Sequence, residues 1–282
     1  MSAVPGSDAA TRPRALVTGA AEGLGQALAA GLASRGFVVD AIDVQARPGG
    51  ETAAERTADD VSRTGVAVGD PPASSAAAGR WHVADLGDRA AVEALIPALV
   101  AGGPYGLGAF NAGGNATGRF EEISCAEHLR LLAVNAETPI RIATALVASG
   151  TLAPGGRLVF VSSLSHFTGY PGAASYAASK DALAVWARSI RPAAARRGLT
   201  VTVAFPGPLD TAHATRHAPA GTDASRRMKP QTAASAILDA AFAGRKTVVP
   251  GFANQLIALT GNIFPGFLAR RMRRLLFDRL VG

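Results

Sequence analysis

The chain of 282 residues contains one cysteine, Cys125. No internal disulfide can form, and a lone thiol suits a reducing compartment. Aromatic residues are only 6% of the chain, with three tyrosines and two tryptophans. That scarcity, and the lack of a nucleic-acid-binding motif, argue against a nucleic-acid surface. No run of 18 uninterrupted apolar residues occurs, so no transmembrane span is expected. Residues 1–13 are small and polar, without the apolar segment of a secretory signal, and read as a disordered extension. A cytoplasmic location is the resulting expectation. What remains is a globular composition, 48% hydrophobic and 17% charged, long enough for one large α/β domain with an ample core.

The net charge of +7 is unevenly placed, with Arg270, Arg271, Arg273, Arg274 and Arg279 near the C-terminus. A solvated basic face explains it better than a polyanion site.

Chemistry concentrates elsewhere. Tyr176 and Lys180 lie four apart at the start of a helical stretch, on one helix face. An ammonium beside a phenol stabilises the phenolate and lowers a pKa normally near 10. Such a phenol exchanges protons near neutral pH. Ser163 ends the apolar run 158–161, which reads as a buried strand, and offers a second hydroxyl for a shared substrate oxygen.

A second constellation lies near the N-terminus. The apolar run 14–18 is followed by Gly19, Gly23 and Gly25 in a Gly-x-x-x-Gly-x-Gly turn, and then by a helix. Glycines allow close backbone approach, and free helix N–H groups favour a pyrophosphate. A second strand ends at Asp43, whose carboxylate can take the ribose hydroxyls of an adenosine.

Strand candidates fall near 14–18, 37–43, 80–84, 106–111, 157–162, 199–205 and 246–250, with helices between them. Alternation of this kind predicts a Rossmann-type doubly wound sheet of about seven parallel strands with helices on both faces. Right-handed crossovers put every strand C-terminus on one edge. Gly19, Asp43, Asp85, Asn111, Ser163 and Pro206 all fall at such ends, so one shared site is predicted.

From about residue 14 to 251 the chain resembles the short-chain dehydrogenase/reductase family. The motifs recur in order: the glycine turn after Thr18, Asp85, Asn111-Ala112-Gly113, Asn135, Ser163, Tyr176, Lys180 and Pro206-Gly207. Phe110 stands where the family often has another Asn, and the turn is expected to survive. The resemblance implies a dinucleotide-dependent oxidoreductase with Asn135, Ser163, Tyr176 and Lys180 as catalytic tetrad. It implies cofactor contacts at Gly19, Glu22, Gly23, Leu24, Gly25, Asp43, Asp85, Leu86, Asn111, Ala112, Gly113, Tyr176, Lys180, Pro206, Gly207 and Thr211. Within that set, Asp85 would accept from the adenine amine and Thr211 would meet the nicotinamide amide. Asn135 would hold a water that links Lys180 to solvent. Relatives form dimers or tetramers through the helices flanking the strand at 157–162, so a homo-oligomer is expected. Each residue also has a structural reading: Tyr176 as a half-buried helix tyrosine, Ser163 as a strand-end cap, Asn135 as a helix-kinking polar residue, Asp85 as the cap of a helix near Asp88.

Cofactor choice follows from charge. Val44 rather than Arg follows Asp43, and Glu22 sits in the glycine turn where a cation would favour a 2′-phosphate. Both features favour NAD over NADP, with Arg47 the one nearby cation able to fold back. No metal is expected, because His166, His213 and His217 lack clustered carboxylates or thiols. His166 reads as structural rather than catalytic, near the pocket. The segment 212–229 is expected to be the substrate loop, and residues 65–79 an inserted surface loop rather than a lid.

Residues 252–282 alternate apolar clusters with arginines, and from Pro265 on they read as an amphipathic helix. Packing over the pocket or a neighbouring subunit is favoured over peripheral contact with an anionic membrane. Three functions stay open: interconversion of a secondary alcohol and a ketone by hydride transfer, with a lipophilic substrate among the options; a dehydratase or epimerase on the same fold; or a non-catalytic NAD-binding sensor.

Overall fold

The computed structural model describes residues 12–45, 67–69, 78–216, 225 and 227–273. The strands are short and rich in Val, Ala, Leu and Phe because both of their faces are covered. In β1 (Arg14–Thr18), Ala15 and Val17 face one side and Leu16 the other. Ala15 and Val17 pack with Leu24, Leu28 and Leu32 of α1 (Gly23–Ala33) and Ile237 and Leu238 of α9 (Pro230–Phe242). Leu16 belongs to the opposite cluster. There it joins Leu95 and Leu99 of α2 (Arg89–Gly102), Ile142 of α4 (Thr138–Ala148) and Leu183 of α6 (Ala174–Ser189). Strand period two thus divides the core into two layers around one sheet.

The remaining strands are β2 (Val38–Asp43), β3 (Ala67–Gly69), β4 (Ala78–Val83), β5 (Tyr105–Phe110), β6 (Leu152–Val161), β7 (Thr200–Ala204) and β8 (Thr247–Val248). Their order across the sheet is β3-β4-β2-β1-β5-β6-β7-β8, and all pair in parallel except β3. The order reverses between β1 and β5, where a doubly wound sheet opens a crevice for a ligand. In register, Thr18 pairs with Ile42 and Phe110, and Phe110 with Phe160. Val161 pairs with Ala204, and Ala204 with Val248. Strand C-termini therefore lie side by side on one edge.

Three details differ from the sequence expectation. Within 65–79, the surface loop, Ala67–Gly69 is a strand antiparallel to β4, and Ala78 already belongs to β4. An uncovered β4 edge would present unpaired backbone groups, and β3 takes them up; residues 65, 66 and 70–77 lie outside the described residues. β6 begins at Leu152 rather than 157, with a register shift against β5. β8 is only two residues long, since Pro250 follows and has no N–H to donate.

The helix over Cys125–Ala148 consists of α3 (Cys125–Leu132), a π-turn (Ala133–Glu137) and α4. It is long and apolar enough to cross a membrane, but half of its most apolar window is buried in this fold, as in a core helix. Short helices α5 (Ser165–Thr168), α7 (Arg191–Arg196) and α8 (Ala212–Arg216) follow β6, α6 and β7. The C-terminal segment forms two helices, α10 (Phe252–Ile263) and α11 (Pro265–Met272). Residues 1–11, Arg47, His217, Arg274 and Arg279 lie outside the described residues.

Candidate active site

At the crevice, Gly19 and Gly23 adopt left-handed backbone, with φ of 67° and 57°. A side chain there would be strained by its Cβ. A Cβ on Gly25 would overlap the Gly19 carbonyl, and one on Gly19 would come within 2.8 Å of Ala112 Cα. A Cβ on Gly23 would lie 3.0 Å from Thr211 Cγ2. The glycine turn, the loop after β5 and Thr211 are therefore in direct contact. Glu22, the residue before α1, makes no side-chain cap on the helix amides.

Three side chains tie this turn and the strand before it to their neighbours. The Ala21 and Gln45 amides donate to the Asp43 carboxylate, at 2.9 and 3.0 Å. Asn111 donates through Nδ2 to the Thr18 and Gly19 carbonyls, both at 3.1 Å. Thr18 Oγ1 accepts from the Asn111 and Ala112 amides, each at 3.0 Å. The loop 111–113 survives the Phe110 substitution because Asn111 supplies these bonds itself.

The expected tetrad occupies the adjoining wall. Asn135 is fully buried in the π-turn. Its Oδ1 accepts from the Gly114 amide at 2.8 Å. Its Nδ2 donates to the Gly114 carbonyl at 3.0 Å and to Ser179 Oγ at 2.9 Å. All its bonds go to neighbouring elements, so it locks α6 to the loop after β5 rather than merely kinking a helix. A π-turn offsets one residue from the helical ladder, and such turns cluster at functional sites. Lys180 Nζ donates to the Val161 carbonyl at 3.0 Å, while Ser162 Oγ donates to the Lys180 carbonyl at 2.9 Å. A Cβ on Gly113 would come within 2.9 Å of Lys180 Nζ and 3.1 Å of Asn135 Oδ1, so a side chain there would displace the ammonium.

Charge in this wall differs from the sequence expectation. Burial lowers the Lys180 pKa to about 8. Loss of water raises the Tyr176 phenol, and the Ser163 hydroxyl pulls it partly back. The lysine does not lower the phenol here. The two residues share a helix face, but the ammonium is turned to a main-chain oxygen of β6.

The other expected positions divide. Asp85 does not cap a helix; Asp88 does, accepting from the Ala90 amide at 2.8 Å. Asp85 Oδ1 accepts from the Gly87 amide at 2.8 Å and from Arg130 at 2.9 Å. Burial acts to raise its pKa, but Arg130 and the Gly87 amide outweigh that and hold it below the usual carboxylate range. Leu86 turns its side chain into the core, so only its backbone reaches the edge. Leu24 is buried beneath the turn. The Pro206 carbonyl accepts from the Leu164 amide at 2.9 Å, which fixes Ser163 between them. His166 does not join the site. Its Nδ1 bonds Asp181 at 2.9 Å, and its ring stacks on Phe205 at 5.0 Å. The base of the loop 212–229 is closed by a bridge between Leu209 and Met228. Among the described residues no three His, Cys, Asp or Glu groups gather as metal ligands.

Sequence reasoning missed three contributors. Thr18 organises the loop after β5, Ser179 couples Asn135 to the Tyr176 carbonyl, and Tyr170 stands edge-on to Tyr176 at 6.0 Å. The Ser179 position beside Lys180 was a signal available in the sequence; Tyr170 had none beyond being one of three tyrosines.

Comparison with known proteins agrees with this arrangement. A sequence model of the short chain dehydrogenase family matches residues 13–220. The cyclic-di-GMP-binding biofilm dispersal mediator protein of Escherichia coli is 29% identical over 198 residues, covering 70% of this chain and 73% of the relative. The 3-oxoacyl-[acyl-carrier-protein] reductase FabG of Haemophilus influenzae is 27% identical over 199 residues, covering 70% and 74%. Among solved structures, a short-chain dehydrogenase from Streptomyces avermitilis superposes with a TM-score of 0.71 at 21% identity, covering 95% of this chain and 98% of that one. One from Sphingobium yanoikuyae in complex with NADPH gives 0.68 at 24%, covering 91% and 95%. With the family matched over most of its length and the fold and wall of the site in place, this chain belongs to the short-chain dehydrogenase family.

Proposed function

We propose that the protein is an NAD-dependent oxidoreductase that interconverts a secondary alcohol and a ketone. The observation that carries this reading is the wall itself, in which buried Asn135 bonds Gly114 and Ser179, Lys180 Nζ bonds the Val161 carbonyl, and Ser163 acts on the Tyr176 phenol beside them. A dinucleotide fits the crevice: the Gly25 position has no room for a Cβ, and the α1 amides take no cap from the Glu22 side chain. Gly19, Glu22, Gly23, Leu24 and Gly25 would hold its pyrophosphate on the helix N-terminus. Asp43 would hold the adenosine ribose, and Asp85 and the Leu86 backbone would border the adenine. Asn111, Ala112, Gly113, Pro206, Gly207 and Thr211 would line the path to the nicotinamide end, with Tyr176 and Lys180 at its ribose.

The nicotinamide supplies hydride acceptance or donation when bound. Tyr176 gives a proton to the carbonyl oxygen in reduction and takes it from the hydroxyl in oxidation. Ser163 donates to the same oxygen and stabilises its developing charge. Asn135 and Ser179 hold α6, and hence Tyr176, against the loop after β5.

NAD is proposed on charge. A 2′-phosphate would meet the Asp43 carboxylate and find Val44, exposed and uncharged, beside it. The Sphingobium relative holds NADPH, so a fluorescence titration with NADH and NADPH, on wild type and Asp43→Ala, decides the point. Tighter NADPH binding by the wild type would overturn the choice. The reaction class is tested by a ketone screen with Ser163→Ala. Loss of about 10²–10³ in kcat with unchanged NADH affinity is expected. A product of unchanged redox state would favour the dehydratase or epimerase reading. A homo-oligomer through α3, α4 and α6 is also proposed, with Leu129 and Leu132 exposed on α3 and Val185 on α6.

A further inference from the structure

The C-terminal helices show an inverted burial pattern. In α10, Phe252, Leu256, Leu259 and Ile263 are spaced at i, i+4, i+7 and i+11, so they form one stripe. They are between 49% and 75% exposed. Phe264 and Phe267 extend the exposed apolar surface into α11. The side that meets the fold carries smaller residues. Asn254 lies against Gly207, Ala258 is buried, and Gly261 sits so close to the Phe167 main chain that a Cβ would overlap it. A helix that turns Ala and Gly inward and Phe, Leu and Ile outward leaves a large apolar surface in want of a second partner.

The charge beside the stripe selects that partner. Residues 252–273 include no Asp or Glu, and Arg270, Arg271 and Arg273 are all exposed. A second copy meeting this face across a two-fold axis would bring like-charged segments together with no acid in either to offset them. A negatively charged lipid surface offers an apolar layer for the stripe and phosphates for the arginines. We propose that α10 and α11 dock the protein on an anionic membrane surface, stripe in the acyl boundary and arginines at the phosphate level. The docked side is opposite the side covering Gly207 and Phe167, which flank the Pro206 turn and the helix after Ser163. Docking therefore places the rim of the catalytic edge beside the lipid.

The test is flotation of the full chain with phosphatidylcholine vesicles, with and without phosphatidylglycerol. Co-flotation only with the phosphatidylglycerol vesicles is expected. Arg270→Gln with Arg271→Gln should weaken partitioning on the order of thirtyfold. Leu256→Ser, Leu259→Ser and Ile263→Ser together should abolish it while circular dichroism and turnover of a soluble ketone stay unchanged. Absence of flotation, equal flotation with both vesicle types, or a stripe variant that floats like the wild type would each overturn the proposal. So would a stripe-dependent dimer, seen by light scattering, in a protein that ignores vesicles.

Discussion

Lys180 should destabilise the protein that depends on it. Its ordinary pKa of 10.5 falls to about 8 through burial. A shift of this size corresponds to about 3 kcal/mol between the charged and neutral forms. The sign follows from linkage: between the two values the unfolded chain binds the extra proton, so stability rises with pH through that window and the gain is absent below it. Lys180→Met removes the buried charge and keeps the length of the side chain. It also removes the 3.0 Å hydrogen bond to Val161, worth about 1 kcal/mol. Near neutral pH the variant should therefore be more stable than the wild type by about 2 kcal/mol, a large share of a typical total. Above about pH 10 the advantage should vanish or reverse. Urea unfolding of both proteins across this range reads the difference directly, and the variant should have no dehydrogenase activity. A variant less stable near neutrality, with a gap that does not change with pH, would refute the reasoning.

Gly25→Ala should abolish dinucleotide binding, because its Cβ would overlap the Gly19 carbonyl and push the turn open; retained NADH affinity in a fluorescence titration would contradict this. His82 is buried on β4 with neither ring nitrogen hydrogen-bonded, and burial lowers its pKa. The unfolded chain then binds the proton first, so stability should fall as pH drops below about 6.5. His82→Phe should flatten that slope in acid unfolding curves.

The sheet was legible because its strands are buried on both faces. Runs such as 158–161 carry no polar residue to blur them, and each ends at a residue with chemistry of its own. β3 was not legible: Ala67–Gly69 is too short to announce itself, and only the open edge of β4 gives it a partner. In the site, the spacing of Tyr176 and Lys180 fixed a shared face but said nothing of the Val161 carbonyl, a main-chain atom with no trace in side-chain pattern. Asn135 was visible as a polar residue within a helix, whereas the π-turn around it depends on the bonds it makes to Gly114 and Ser179. Amphipathic character in the tail was visible too. Which side meets the fold was not, because close approach at Gly261 outweighs the burial of larger side chains elsewhere on α10.

The electrostatics of Tyr176 carry a consequence for direction. Its phenol is raised by burial, with Ser163 alone among its neighbours acting to lower it. At neutral pH it is therefore protonated, the form that donates to a carbonyl oxygen and cannot accept from a hydroxyl. Alcohol oxidation needs the phenolate, so its kcat/KM should climb with pH throughout the alkaline range, while ketone reduction is already at its plateau near neutrality. Ser163→Ala removes the hydroxyl that opposes the rise, so the inflection for oxidation should move to higher pH, apart from any loss of rate. A purely structural Ser163 would lower the rate without moving the inflection. Oxidation that is flat across the alkaline range would mean that Tyr176 is deprotonated before substrate arrives, and that Lys180 leaves the Val161 carbonyl to make it so.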